Sequence, residues 1–227
     1  MTLLRLEEPR ALEQTIEAIQ RDGVVAFPTD TVYGIGASLN HPNALARIYE
    51  IKGRDRDRSL PVLLSSIAEI VRVTRDTDPD VLRLASTFWP GPLTIALPAL
   101  PSLPAEVVAA DATVGVRVPN HSVALILAQR SGGMLATTSA NLSGQPPAHR
   151  ADEIDPVLAE RLDLILDGGI ARGGQASTVI RVDGATISVI REGAISATAV
   201  EAAWSDIRSG RSREIETDNA STTAPAR

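Results

Sequence analysis

Apolar residues recur with two different spacings along the chain, and these spacings predict helices and strands. Leu12, Ile16 and Ile19 lie three or four positions apart, which places them on one face of a helix. The same spacing, with proline near the start or glycine just past the end, indicates further helices. The predicted helices cover residues 9–21, 42–51, 67–71, 78–88, 121–130 and 154–161.

Short apolar runs between these helices predict buried strands. They cover residues 24–27, 60–64, 93–97, 114–118, 134–138, 162–166, 177–182 and 186–191, and residues 28–36 are expected to form a loop. Several strands follow one another with no helix between them. This mixture without strict alternation favours an α/β or α+β fold with a sheet of mixed strand direction over a doubly wound parallel sheet.

The chain has 227 residues, which is enough for one large domain with a substantial core. We predict a single domain over residues 1–204 and a disordered tail over residues 205–227, where the sequence is polar. The N-terminal segment contains two glutamates by residue 8 and no long apolar run, so it is not a signal peptide. No run approaches the roughly 20 apolar residues of a membrane span. We therefore expect a cytoplasmic protein with no membrane partner.

Composition excludes several kinds of chemistry. The chain has no cysteine, so disulfides, thiolate catalysis and cysteine-ligated zinc are ruled out. His41, His121 and His149 have no metal-binding spacing, and no metal ligand is expected among the side chains. Aromatic residues make up 3% of the chain and the net charge is -6, which argues against a protein that coats nucleic acid. There is also no Walker-type phosphate loop and no Gly-x-Ser-x-Gly nucleophile elbow.

Lys52 is the only lysine among 22 basic residues. A preference for arginine codons explains most of this bias, but it does not explain why one position kept lysine. Lysine is a compact point charge and arginine a planar fork, so the two differ wherever geometry is tight. Lys52 opens the segment 52–58, in which basic and acidic residues alternate. This segment would either bind phosphate or form a solvated loop that its own aspartates neutralise.

Two further segments combine hydroxyl groups with glycine beside a strand. Residues 29–36 suit either a small polar ligand or a tight connection, and residues 137–144 suit either an anion or an ordinary turn. Arg117 lies between two valines of a predicted strand, so it needs a carboxylate of the protein or an anionic ligand as its partner. Arg191 stands at the end of another strand and raises the same question.

Taken in order, these segments resemble the YrdC-like family, which includes the L-threonylcarbamoyladenylate synthases. The resemblance covers nearly all of residues 10–195. Each motif alone is unspecific, but their order is specific. The motifs are FPTDTVYGIG at 27–36, KGR at 52–54, WPGPLT at 89–94, VRVP at 116–119, TSANLSG at 138–144, STV at 177–179 and REG at 191–193.

The resemblance implies a twisted mixed β-sheet with flanking helices and a concave basic face. It also implies a nucleotidyltransferase that forms threonylcarbamoyl-AMP and pyrophosphate from L-threonine, bicarbonate and ATP, for the threonylcarbamoyladenosine modification of tRNA. ATP would be a substrate, and Mg²⁺ would be carried with it. The expected partner is a downstream threonylcarbamoyl transferase complex acting on tRNA, with weak RNA binding as a further candidate.

The resemblance also assigns site residues, by matching positions. The catalytic residues, which would contact the ATP phosphates and the reacting centre, are Lys52, Arg54, Ser139 and Asn141. Further ATP contacts would come from Arg58, Thr113 and Arg191, and threonine would be bound by Thr31, Arg117, Thr137 and Ser177, with Arg117 facing its carboxylate.

The chain departs from the family pattern in the basic segment. Asp55 and Ser59 stand where relatives often have proline, which predicts a more flexible and less positive loop. We expect the short, single-domain form of the family. The alternative function is an RNA-binding or ribosome-associated protein of the same fold with little synthase activity. A carbamoyl-transfer role, as in hydrogenase maturation, is a third candidate that usually needs extra domains.

Overall fold

Helices and strands follow one another irregularly along the chain, as the apolar pattern predicts. The computed structural model describes residues 2–75 and 78–210. Within these ranges the α-helices are α1 (Ala11–Gln20), α2 (Pro42–Lys52), α3 (Pro79–Phe88), α4 (Ser122–Arg130), α5 (Pro156–Ala159) and α6 (Ala197–Arg208). The strands are β1 (Thr2–Arg5), β2 (Val25–Pro28), β3 (Tyr33–Ser38), β4 (Val62–Leu64), β5 (Leu93–Pro98), β6 (Thr113–Arg117), β7 (Met134–Ser139), β8 (Leu164–Asp167), β9 (Thr178–Asp183) and β10 (Thr186–Arg191).

The ten strands of the described ranges form one sheet, in the order β1-β8-β2-β3-β7-β4-β6-β5-β9-β10. The pairs β1–β8, β2–β8, β4–β6 and β5–β9 are parallel. The remaining neighbours are antiparallel. The sheet is therefore of mixed direction with helices against it, and this confirms the predicted α/β (α+β) fold class.

Alternation of side chains along the strands separates two apolar layers. On one face, strand residues such as Ile35 and Ile95 pack against α2, α3 and α6 in the main core. On the other face, Val25, Leu135 and Leu166 pack against α1 and α4. This second layer draws its strand residues from β2, β4, β7 and β8, so α1 and α4 leave the same face of β5, β6 and β9 uncovered.

The uncovered face carries polar and small side chains. In β6, Val114 and Val116 belong to the main core, so Thr113, Gly115 and Arg117 face the opposite side. Strand β5 presents Thr94 and Ala96 there, and β9 presents Val179 and Arg181. The alternation that builds the core therefore also builds a polar surface, and that surface holds the candidate site.

Strand β3 was predicted as part of a loop, and this prediction was wrong. Gly34 and Gly36 suggested a turn, but both lie in the strand, which pairs with β2 and β7. A Cβ atom at Gly36 would lie 2.8 Å from the carbonyl oxygen of Ala136 and 3.1 Å from the Phe27 ring. Glycine is needed here because the neighbouring strand and ring leave no room for a side chain.

The end of the domain also differs from the prediction. The predicted tail begins at residue 205, whereas α6 continues to Arg208. Val200 and Trp204 of this helix are buried in the main core, and the Trp204 Nε1–H donates to the Ala185 carbonyl oxygen at 2.9 Å. Residues 205–208 are therefore helical and residues 209–210 form a turn, whereas residues 211–227 of the predicted tail lie outside the described residues.

Smaller differences concern the short elements. Strand β1 was not predicted from the sequence; it pairs in parallel with β8. Residues 67–71 form a 3₁₀-helix at Ile67–Arg72, and the predicted helix 154–161 shortens to α5. Asp78 caps α3, since its carboxylate accepts from the Asp80 N–H at 2.8 Å. None of the helices in residues 2–75 and 78–210 is long and apolar enough to cross a membrane.

Candidate active site

A cavity of about 510 Å³ lies on the uncovered face of the sheet. Its size is in the range of small-molecule sites. The structure brings most of the predicted site residues together around it. Those that line the cavity are Thr31, Arg54, Arg58, Thr113, Arg117, Thr137, Ser139, Ser177 and Arg191, whereas Lys52 and Asn141 do not line it.

Two pairs of hydroxyl groups form part of the cavity wall. Thr29 and Thr31 are hydrogen-bonded through their Oγ1 atoms at 2.9 Å, and Thr29 also donates to the Val32 carbonyl oxygen at 2.6 Å. On β5 and the approach to β9, Thr94 Oγ1 and Ser177 Oγ lie 2.9 Å apart. All four residues are buried. These hydroxyls are preorganised hydrogen-bonding groups for a small polar ligand.

Arg117 lies at the C-terminal end of β6 and is held on several sides. Its Nε–H donates to the Gly91 carbonyl oxygen at 2.8 Å, and NH1 donates to Thr31 Oγ1 at 3.1 Å. NH2 forms an ion pair with Asp30 Oδ1 at 2.5 Å. Burial lowers the pKa of the guanidinium, and the Asp30 carboxylate opposes this shift. From the sequence, the partner of Arg117 was either a carboxylate of the protein or an anionic ligand. In the structure it is the Asp30 carboxylate, and Arg117 also lines the cavity.

Arg54 fixes the basic segment against the sheet. Its NH2 donates to the carbonyl oxygens of Arg58 and Ser59, at 2.5 and 3.1 Å, and NH1 donates to Thr138 Oγ1 at 3.4 Å. The guanidinium carbon lies 5.4 Å from the centre of the Tyr49 ring. Burial lowers the pKa of Arg54. Arg54 therefore connects the basic segment to the end of β7, and the greater flexibility expected from Asp55 and Ser59 stays a prediction.

Lys52 lies behind the cavity wall, at the last position of α2. Its ammonium group donates to the carbonyl oxygens of Ser139 and Asn141, at 2.5 and 2.7 Å, and approaches Asn141 Oδ1 at 3.4 Å. The residue is 3% exposed. Burial, and then the charge of Arg54, lower the pKa of Lys52 to about 7. By donating to two carbonyl oxygens, the ammonium group holds the turn that follows β7.

Asn141 completes the same turn. Its amide nitrogen donates to the carbonyl oxygens of Leu142 and Gln145, at 2.8 and 2.7 Å, and its Oδ1 accepts a short hydrogen bond from Ser139 Oγ. Lys52 and Asn141 thus act on the position of Ser139, which does line the cavity. The four residues assigned to the reacting centre are neighbours in space, with two of them in a supporting layer.

The fold and the site together match one known family. The family model for Sua5, YciO and YrdC, described as telomere recombination, matches residues 17–193. The chain belongs to this family. The resemblance noted from the motifs is thereby confirmed.

Two curated proteins and one solved structure show what this chain is similar to within the Sua5/YciO/YrdC family. The chain is 38% identical over 192 residues to the threonylcarbamoyl-AMP synthase of Bacillus subtilis, covering 84% of this chain and 56% of that protein. It is 35% identical over 190 residues to a putative threonylcarbamoyl-AMP synthase of Mycobacterium tuberculosis, covering 84% of this chain and 87% of that protein. The structure of Sua5 from Pyrococcus abyssi complexed with L-threonine is similar with a TM-score of 0.82 and 33% identity, covering 89% of this chain and 60% of that one. The chain thus spans little more than half the length of the Bacillus relative.

The charge around the cavity of this Sua5/YciO/YrdC chain is mainly positive. The arginines at 54, 58, 117, 181 and 191 line it, together with the aspartates at 57 and 111. Asp111 pairs with Arg181 and accepts from Thr113 Oγ1 at 2.7 Å. Arg191 donates to the Ser177 carbonyl oxygen at 2.7 Å, and burial lowers its pKa. A chain of net charge -6 therefore concentrates positive charge at one cavity.

Sequence reasoning missed several residues of the site. Thr29 and Asp30 lie in the FPTDTVYGIG motif at 27–36, but the resemblance assigned them no individual role. Thr94 and Arg181 were missed because they are single polar residues in apolar strands. The alternation of side chains along β5 and β9 could have indicated them. A polar residue between two core positions of a strand points to the opposite face, where it meets solvent or a ligand. In the part of the chain that the structure describes, no group of three or more His, Asp or Glu side chains is placed to hold a metal ion.

Proposed function

We propose that this chain is an L-threonylcarbamoyladenylate synthase, which forms threonylcarbamoyl-AMP and pyrophosphate from L-threonine, bicarbonate and ATP. The observation that carries the proposal is that buried hydroxyl groups and Arg117 lie beside further arginines in the same cavity. Membership in the family and the similarity to a Sua5 structure complexed with L-threonine support it.

The threonine would bind at the hydroxyl groups. Arg117 would hold its carboxylate, and Thr31, Thr137 and Ser177 would contact its other polar groups through their hydroxyls. Because Thr31 is already bonded to Arg117, the two recognise the ligand as one unit. Charge-assisted pairing of a guanidinium with a carboxylate is strong and directional, which suits recognition of an amino acid.

The triphosphate would bind among the arginines. Arg54 and Arg58, with Ser139, would contact phosphate oxygens, and Thr113 and Arg191 would contact the nucleotide. Lys52 and Asn141 would serve this part of the site by fixing the turn that presents Ser139 and by placing a positive charge behind it. Mg²⁺ would enter with the triphosphate of ATP as part of the substrate.

The reaction needs no nucleophile from the protein. The threonine amine combines with bicarbonate to give a carbamate and water, and a carbamate oxygen then attacks the α-phosphorus of ATP. The bond between the α-phosphorus and its bridging oxygen breaks, and pyrophosphate leaves with that oxygen. The protein's part is to position both substrates and to stabilise the negative charge on the phosphates. The product is a labile mixed anhydride, which a threonylcarbamoyl transferase complex acting on tRNA would consume.

The proposal is tested by measuring pyrophosphate release from purified protein with ATP, bicarbonate and L-threonine. We expect release that requires threonine and bicarbonate, with a product that mass spectrometry identifies as threonylcarbamoyl-AMP. Release that continues unchanged when threonine is omitted would contradict the proposal. RNA binding without threonine-dependent release would favour the RNA-binding alternative.

A further inference from the structure

Asp30 lies behind Arg117 and contacts the cavity only through it. The Asp30 side chain is 12% exposed and the Arg117 side chain 7% exposed, and NH2 of Arg117 lies 2.5 Å from Oδ1 of Asp30. Arg117 lines the cavity, whereas Asp30 does not. The ion pair is thus nearly buried, and one of its members faces a ligand position.

The hydrogen bonds of Arg117 leave a specific part of the guanidinium free. An arginine has five N–H donors. Gly91, Thr31 and Asp30 each accept from a different nitrogen, Nε, NH1 and NH2 respectively. The two remaining N–H groups, one on each terminal nitrogen, make no hydrogen bond to any described residue. Two N–H groups on the two terminal nitrogens match the two oxygens of a carboxylate.

Asp30 supplies what such an arginine needs in order to stay in place. A buried guanidinium without a counter-charge is costly, and removing one partner of a buried pair leaves the other charge uncompensated. A long side chain held by neutral acceptors alone would also retain several rotamers. Asp30 compensates the charge and selects one orientation, because it fixes NH2 while Gly91 fixes Nε.

We infer that Asp30 is a positioning residue for the amino-acid substrate: it holds Arg117 so that two free N–H groups receive the substrate carboxylate. The inference rests on the proposed function, in which that substrate is L-threonine. Asp30 does not touch the substrate itself. It sets the affinity for the carboxylate and leaves the nucleotide part of the site unchanged.

The test compares Asp30→Ala and Asp30→Asn with the wild-type full chain, by steady-state pyrophosphate release and by calorimetric titration with L-threonine alone. We expect Asp30→Ala to raise the KM and the Kd for threonine by about ten- to thirtyfold, because an Arg117 side chain that has regained its rotamers presents both N–H groups to the carboxylate only part of the time. The kcat at saturating threonine and the KM for ATP should change less than threefold. Asp30→Asn keeps the side-chain volume and one acceptor oxygen, so its loss should be smaller.

A matched control separates positioning from stability. Asp163 also forms an ion pair, with Arg47 at 3.0 Å, and its carboxylate accepts from the Val24 N–H at 2.7 Å. Neither Asp163 nor Arg47 lines the cavity. Asp163→Asn should lower the melting temperature without changing the KM for threonine. If Asp163→Asn raised that KM as much as Asp30→Asn does, the effect would be structural and the inference would be wrong.

A double variant tests whether Asp30 acts through Arg117. In an Arg117→Ala background, adding Asp30→Ala should weaken threonine binding no further, because coupled residues are not additive. Independent, multiplying losses would overturn the inference. So would threonine binding by Asp30→Ala or Asp30→Asn that is equal to or tighter than wild type, since the carboxylate would then be a competitor of the substrate. A wild-type chain that neither binds threonine nor releases pyrophosphate would instead contradict the proposed function.

Discussion

Lys52 is the only lysine of the chain, and its position in the structure differs from the expected one because it does not line the cavity. The sequence placed it among the phosphate contacts. In the structure its ammonium group is directed to the carbonyl oxygens of Ser139 and Asn141, behind the cavity wall. A lysine fits this place because its ammonium is a compact point charge that can donate to converging carbonyl oxygens, whereas a guanidinium is larger and planar. Its assignment to the reaction stays a prediction.

Replacement of Lys52 is expected to abolish turnover without unfolding the chain. Lys52→Ala removes a donor from the carbonyl oxygens of Ser139 and Asn141. The Asn141 N–H still donates to the Ser139 oxygen at 3.0 Å, so the main loss is at the Asn141 carbonyl, where an unsatisfied group costs about 1–3 kcal/mol. The turn that presents Ser139 should then relax. We expect threonine-dependent pyrophosphate release to fall at least about a hundredfold, the cost of about 2.7 kcal/mol in transition-state stabilisation. Arg47→Ala, on the same helix and away from the cavity, is the control and should keep near wild-type activity; full activity in Lys52→Ala would refute a role for the lysine.

The depressed pKa of Lys52 also predicts how stability depends on pH. Burial and Arg54 lower the pKa of the folded state to about 7, whereas an unfolded lysine titrates near about 10.4. Between these values the unfolded chain binds more protons than the folded chain, so this group makes stability increase with pH over that window. We expect the free energy of unfolding of wild type, relative to Lys52→Met, to rise as the pH increases from about 6.5 to about 9.5. Urea unfolding at several pH values measures it, and a pH-independent difference would show that the lysine pKa is not lowered.

At the scale of elements, β3 carries the largest difference between sequence and structure. Its Tyr33-Gly34-Ile35-Gly36 pattern has the alternation of a half-buried strand, with Tyr33 and Ile35 in the main core. The two glycines led to the prediction of a loop instead of a strand, because glycine is also typical of turns. Only the packing of β3 between β2 and β7 explains them, since the space beside each glycine is already taken.

Gly36→Ala should therefore destabilise the protein more than an ordinary strand substitution does. The new Cβ would meet the Ala136 carbonyl oxygen at 2.8 Å, and backbone of the paired strand yields less easily than a side chain. We expect a loss of about 1–3 kcal/mol in the free energy of unfolding, as for other overpacked positions. Urea denaturation measures this loss.

Gly115→Ala is the matched control for this strand substitution. The closest atom to its added Cβ would be Thr94 Cγ2 at 3.3 Å, which belongs to a side chain. Its loss should be clearly smaller than that of Gly36→Ala. Equal effects of the two substitutions would mean that the close approach of β7 is not what requires glycine at position 36.

At the scale of the whole molecule, charge is distributed unevenly. The chain has 28 acidic and 22 basic residues, yet arginines outnumber aspartates around the cavity. The net charge of -6 therefore gives no information about this local field. A cleft lined by one sign of charge attracts oppositely charged ligands at a distance.

This field predicts that the two proposed substrates respond differently to salt. ATP is a polyanion, whereas threonine is a zwitterion without net charge near neutral pH. Raising the NaCl concentration from about 0.05 M to about 0.5 M shortens the screening length several-fold. We expect the Kd of a non-hydrolysable ATP analogue to rise about tenfold and the Kd of threonine to change much less, both measured by calorimetry. Arg191→Gln should reduce the salt dependence for the ATP analogue, and equal salt dependence of both ligands would contradict the role of the arginines.

By itself, the sequence determined the mixed fold class, most helices and strands, the family, and which segments contain the cavity residues. These follow from local periodicity and from the order of short motifs, both of which are properties of neighbouring residues. Only the tertiary structure decided that Asp30 is the partner of Arg117, that Thr94 and Arg181 join the cavity, and that Lys52 lies behind it. Each of these contacts joins residues on elements far apart in sequence, and their distances depend on strand order and register, which no local pattern specifies.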